Sequence, residues 1–407
     1  MKTILKMQIE TLKAQARLAA LLLALFATTA SVCAQLSEPP NPGSYSGLGT
    51  RGSSGTGRVD RFIGLRNGLL LLMLDKREMF SAQFTVGIVD FSFRGAFNKL
   101  NTFDKTFIIN SRDVTVHLLG SGDSIDGTID LGGTTYNVHA NRAVFDGKRN
   151  PAPMAGKYTM FFQNGKAQAT PTPPRRRFGK EGIIPQGYGW ATASIKPSGD
   201  VLVNGAVADG TKFSVGGSVA QNGDFPFYTS LYDGKGQLAG VLNFTGNQSL
   251  RTFEVQISSG DVSGTLAWTK PFQPDNNLFP SPFDIDLEVT GSFYVQPVLS
   301  RILASFNNTG GDGDVLFIGG GQGSQDKMIN LSRENIVRFT NPSGPSDKLI
   351  LAFNPLDGTF NGKFSGPGLP MNTPFTGVVL QNQGYGRGFF LGTSSSGQVE
   401  INPGQGN

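Results

Sequence analysis

Cysteine, histidine and tryptophan are nearly missing from this chain of 407 residues, which holds one, two and two of them respectively. The single thiol, Cys33, falls within an expected export-type leader, so the remainder is expected to carry no disulfide, no thiolate metal site and no cysteine nucleophile. Charge is sparse as well, with Asp, Glu, Lys and Arg making up 16% of the chain. Heptad or 3.6-residue apolar patterning is almost absent, which argues against a helical fold. No Gly-x-Ser-x-Gly elbow occurs, and the glycine-rich Gly319 to Ser324 lacks the Gly-Lys-Ser/Thr of a phosphate loop. Gly47-Leu48-Gly49-Thr50-Arg51-Gly52 matches a dinucleotide fingerprint by letter, but it neither follows a strand nor opens a helix.

The leader is read over residues 1–34. Lys2, Lys6, Lys13 and Arg17 precede an apolar run from Leu18 to Ala27, and Val32-Cys33-Ala34 offers small residues for cleavage before Gln35. That run is short for a membrane span, so the mature chain is expected to be extracytoplasmic, secreted or at the cell surface, and not integral to the membrane. Lys2, Lys6, Lys13, Arg17 and Glu10 leave with the leader, and the formal charge falls from +5 to +2. So small an excess gives no reason to expect a nucleic-acid partner.

What the chain has in abundance is glycine (55) and phenylalanine (31). Between Gly187 and Phe244, short alternating runs are cut at Ser198-Gly199-Asp200, Asp209-Gly210, Asn222-Gly223 and Asp233-Gly234. A period of two puts each apolar set on one sheet face, and Asn-Gly or Asp-Gly supplies the positive φ of a tight turn. The pattern predicts an antiparallel meander of about five strands here, with weaker copies on both sides. The expected fold is all-β: tandem antiparallel meander units, small eight-strand-type β-barrels, with three separate barrels or two larger sheets that share strands both open. The expected layout is a linker over 35–42, β unit 1 over 43–150, unit 2 over 151–271, a second linker over 272–282 and unit 3 over 283–407. A Gly-x-Tyr/Phe entry marks each unit, at Gly43-Ser44-Tyr45, Gly156-Lys157-Tyr158 and Gly291-Ser292-Phe293. Unit 1 is expected to contain strands at 69–74, 80–86, 89–97, 107–109, 114–119, 125–131 and 136–145. Unit 2 is expected to close with Phe253–Ile257 and Gly264–Trp268. Asn307 to Ser324 reads as a glycine-rich loop.

The pieces ADGTKFSVGGSVAQNGDFPFYTSLYDGKGQLAGVLNF and FTGVVLQNQGYGRGFFLGTSSSGQV resemble uncharacterised β-rich secreted bacterial proteins. In that family such a region forms the tail of larger envelope chains bearing Ig-like or repeat modules. The resemblance implies an envelope or extracellular location and contributes no catalytic residues. In style, the chain is also similar to the barrels of bacterial surface lipoproteins that bind host iron carriers, a likeness of fold and not of function.

Chemistry-bearing groups are few. Asp284, Asp286 and Glu288 alternate with apolar residues on one strand face and could bind a cation or furnish an acid/base pair. A solvated or ion-paired face is the plainer reading. Asp312 and Asp314, in Gly310-Gly311-Asp312-Gly313-Asp314, resemble one turn of a calcium-binding repeat that needs several. These five are weak metal candidates, and no metal or cofactor is expected. Arg175, Arg176 and Arg177 are weak anion-binding candidates on a Pro-rich insertion. His117 and His139 read as surface strand residues, and Trp190 and Trp268 as core. Together these readings predict a non-enzymatic β-barrel protein with a structural, adhesive or ligand-holding role in the bacterial envelope. Its expected partner is envelope polysaccharide or another surface protein. The alternatives are a secreted polysaccharide hydrolase using the strand carboxylates, or a carrier of a small apolar ligand.

Overall fold

The computed structural model describes residues 38–52, 65–109, 111–165, 184–245 and 262–404. The leader over 1–34, Cys33, Arg175 to Arg177 and the strand expected at Phe253–Ile257 lie outside the described residues.

Among the described residues, twenty-four strands form three antiparallel sheets of eight. The first holds β1 (Gly43–Arg51), β2 (Asn67–Leu74), β3 (Met79–Val86), β4 (Val89–Ala96), β5 (Thr102–Ile109), β6 (Arg112–Ser121), β7 (Ser124–Leu131) and β8 (Thr135–Arg142). The second holds β9 (Gly156–Asn164), β10 (Gly189–Ile195), β11 (Asp200–Ala206), β12 (Lys212–Ser218), β13 (Asp224–Leu231), β14 (Gly236–Phe244), β15 (Val262–Lys270) and β16 (Phe283–Tyr294). The third holds β17 (Asp312–Gly319), β18 (Gln322–Leu331), β19 (Val337–Phe339), β20 (Leu349–Asn354), β21 (Thr359–Phe364), β22 (Thr373–Leu380), β23 (Tyr385–Leu391) and β24 (Ser396–Pro403).

In each sheet the first strand pairs with the last, which curls the meander into a nearly closed barrel. Among the described residues, one seam per barrel has no ladder. It lies between β4 and β5, between β12 and β13, and between β19 and β20. All four anticipated turns from 197 to 236 carry a glycine at positive φ, Gly199, Gly210, Gly223 and Gly234. All five anticipated strands are present, but the meander is not continuous, because the β12–β13 seam interrupts it.

Inward parity fills the barrels with side chains. Phe80 meets Phe93, Phe97 and Phe103 in the first, with ring centroids 4.9–6.0 Å apart. Phe225, Phe227, Phe244 and Trp268 are buried in the second. Phe317 stacks on Phe364 at 3.7 Å in the third. Burying so much aromatic surface is the main term holding a disulfide-free barrel together.

The third unit is built differently from the expectation. The strand Phe283–Tyr294 closes the second barrel by pairing with β9 and β15, and residues 272–282 form a loop within that barrel. The buried Lys270 ties this loop down by donating to the Phe279 carbonyl at 2.6 Å. Gly291-Ser292-Phe293 is therefore not an entry. It lies across the ladder from the true entry, with Phe293 opposite Tyr158 and their rings 5.2 Å apart. The third barrel starts at β17, inside the stretch expected to be a loop. Gly47 to Arg51, the letter match to a dinucleotide loop, is strand β1. Gly47 is needed there for close approach, since a Cβ would lie 1.9 Å from the His139 carbonyl oxygen.

Neighbouring barrels pack on outer faces. Leu48 and Leu69 of the first meet Tyr228 and Ala239 of the second. Phe161, Tyr188 and Trp190 of the second meet Val378, Leu380 and Tyr385 of the third.

Candidate binding hollow between the first and second barrels

Register places three outward rows across β1 to β4. Ser44, Met73, Ser81 and Arg94 form one, and Ser46, Leu71, Gln83 and Ser92 the next. Leu48, Leu69, Thr85 and Asp90 form the third. The third row is where the second barrel docks. There Tyr228 packs on Leu48, and its hydroxyl accepts from the Gly87 amide at 2.7 Å. Burial raises the Tyr228 pKa, so the phenol stays neutral.

The first two rows remain open and floor a hollow of about 730 Å³. Gly217 and Ser218, at the end of β12, wall it on one side, and Ala143 follows from β8. Leu71 and Met73 are 42% and 53% exposed, an apolar stripe in a hollow also lined by five serines and Gln83. The hollow also wraps around the edge of β4 to Phe107 on β5, whose ring lies 5.8 Å from Phe93. Gln83 donates both to Asp90 Oδ1, at 2.9 Å, and to Oδ2, at 2.7 Å, which occupies that carboxylate. Arg94 has no ion pair among the described residues.

The strand carboxylates stand elsewhere. Asp284, Asp286 and Glu288 do share one face of β16. Arg66, from just before β2, reaches across the barrel interface and donates to Asp286 at 2.6 Å and Asp284 at 3.3 Å. Burial works against the guanidinium's charge, but the two carboxylates outweigh it and raise its pKa. Glu288 accepts from Gln163 at 3.2 Å. Asp312 and Asp314 lie on β17 of the third barrel, where they accept from Asn330 at 2.7 Å and Asn402 at 3.2 Å. Burial holds Asp314 above the usual carboxylate range. Among the described residues no three His, Cys, Asp or Glu side chains come together as a metal site.

His117 and His139 are exposed strand residues. Each meets an aspartate directly across the ladder, His117 with Asp104 at 2.5 Å and His139 with Asp126 at 2.6 Å. Trp268 is core, donating to the Tyr232 hydroxyl at 3.0 Å. Trp190 instead sits between the second and third barrels, and its indole N–H has no acceptor among the described residues. A smaller hollow of about 460 Å³ lies along the connection from the second to the third barrel, where Gln381 bonds Val295 and Ile302.

Comparison with known proteins gives no match to any family model and none to a curated protein. Among solved structures, transferrin binding protein B from Neisseria meningitidis is 11% identical, with a TM-score of 0.21 over 90% of this chain and 77% of that one. A mutant of transferrin binding protein B from Haemophilus parasuis is 9% identical, with a TM-score of 0.20 over 89% and 76%. A protein of unknown function from the DUF3598 family of Nostoc punctiforme is 9% identical, with a TM-score of 0.19 over 62% and 96%. Likenesses this loose carry no functional argument.

Proposed function

We propose that this chain is a non-enzymatic, extracytoplasmic scaffold of the bacterial envelope. It holds a ligand on the outer face of its first barrel, in the hollow beside the second. The observation behind this reading is where the room lies. The barrel interiors are occupied by buried aromatic and aliphatic side chains, whereas the hollow between barrels combines an exposed Leu71–Met73 stripe with polar walls. Binding sites commonly pair an apolar floor with a few polar groups that set orientation. The packed interiors weigh against a carrier of a small apolar ligand inside a barrel. The Arg66 contacts weigh against the hydrolase alternative, because they engage the two carboxylates it would use. The leader expected over 1–34 supports the location.

The test is a pull-down of residues 35–407 against isolated envelope fractions, polysaccharide included, with sugar release measured in the same tubes. Retention without release is expected, and retention should fall in Leu71→Glu. Sugar release that disappears in Asp286→Asn would replace this reading with the hydrolase.

A further inference from the structure

Two unpaired sheet edges border the same hollow. Among the described residues, strand β4 bonds β3 on one side and no strand on the other, and β12 bonds β11 alone. The β4 and β5 strands leave a short turn at Asn98–Asn101 and then diverge, whereas β12 and β13 approach each other more closely. Aromatic rings bridge the first seam, Phe93 stacking on Phe103 at 6.4 Å and touching Phe107. Neighbouring strands in a sheet stand about 4.8 Å apart, so a diverging seam leaves lateral room for a further strand. An exposed edge is a template for strand addition, in which backbone bonds give affinity and alternate side chains give selectivity.

We infer that the hollow receives an extended peptide segment of a partner protein, added to the free edge of β4. This rests on the proposed holding role and names its ligand. The chemistry at the edge selects the segment. Arg94 points outward at the hollow's end and is the one charged side chain lining it among the described residues, so the residue beside it is acidic. The next residue faces inward over Phe93 and Phe107 and is apolar. The following one returns to the outer face beside Ser92 and Gln83 and is small and polar. The partner segment therefore alternates acidic or polar with apolar residues, and it carries no proline where a backbone donor is needed.

The test uses residues 35–407 and a capped, fluorescein-labelled peptide of sequence Thr-Val-Glu-Val-Thr. Companion peptides have Lys in place of Glu, or N-methylated valine amides. Anisotropy measures binding, and hydrogen exchange follows the amides of residues 89–96. The Glu peptide is expected to bind and slow exchange along β4, with the Lys peptide about tenfold weaker. The order should reverse in Arg94→Glu, an exposed position whose exchange threatens no core contact, and the N-methylated peptide should not bind. Binding that leaves β4 exchange unchanged, or keeps its order in Arg94→Glu, overturns the inference. If no peptide binds but envelope polysaccharide shields the hollow, the holding role stands and the peptide assignment fails. If neither binds, both fail.

Discussion

The ring of Phe103 occupies the space that a side chain on Gly95 would need: a Cβ there would lie 2.3 Å from Cε2 of the phenylalanine. Gly95 is on β4 and Phe103 on β5, so the contact spans the seam where backbone bonding stops. The second barrel repeats it, with Gly217 on β12 and Cε2 of Phe225 on β13 at 2.8 Å. Gly95 precedes Phe103, and Gly217 precedes Phe225, by the same number of residues. A ring seated on a glycine thus joins edges that no ladder joins.

Gly95→Val should destabilise the first barrel by about 1–3 kcal/mol, the usual range for overpacking. Phe103 cannot swing away cheaply, because Phe80 and Phe93 hold it on both sides. Gly217→Ala should cost less, since its contact is longer. Urea unfolding of each variant checks this, and equal, negligible effects would show that the seams do not depend on these rings.

The third seam is joined by charge. Lys327 points inward from β18, is 5% exposed along its side chain, and pairs with Asp347 just before β20. Burial raises the Asp347 pKa, but donation from Lys327 and from the amide and hydroxyl of Ser343 outweighs it, so the net shift is downward. A lowered folded pKa means that the contribution is complete above the ordinary carboxylate value and is lost as pH falls through the folded one. Lys327→Met should cost about 3 kcal/mol by stranding a mostly buried carboxylate, and adding Asp347→Asn should recover part of it. Denaturant titrations of the third barrel between neutral and strongly acidic pH should show the wild-type advantage over Lys327→Met vanishing in acid.

Arg66→Gln frees Asp284 and Asp286. Their side chains are 47% and 33% exposed and that of Arg66 is 38%, so solvent screens the interaction. The expected cost is under about 1 kcal/mol, disappearing in high salt. A larger, salt-independent loss would show that the interface depends on this contact.

Much of the architecture was readable from alternation and turn chemistry. Seven of the eight strands of the first barrel follow from runs such as Val89 to Phe97, and the eighth, β1, was hidden by glycines at 43, 47 and 49 that serve close packing. The third barrel slipped phase for a physical reason. A glycine followed two residues later by an aromatic occurs on both partners of the closing pair, because Phe293 fills the space over Gly156. A local signature cannot say which partner comes first. The carboxylate face of β16 was legible, but its Arg66 partner, more than two hundred residues away, was not. The hollow was illegible too, since its rows exist only once four strands are in register.

The most direct test of the holding role is methionine oxidation. Met73 lines the hollow and is 53% exposed, while Met371, on the third barrel, is 79% exposed and lies outside it. Peroxide oxidation of residues 35–407, alone and saturated with the envelope fraction that retains it, should slow at Met73 and stay unchanged at Met371. Equal oxidation of Met73 in the free and bound protein would contradict the assignment of the ligand to this hollow.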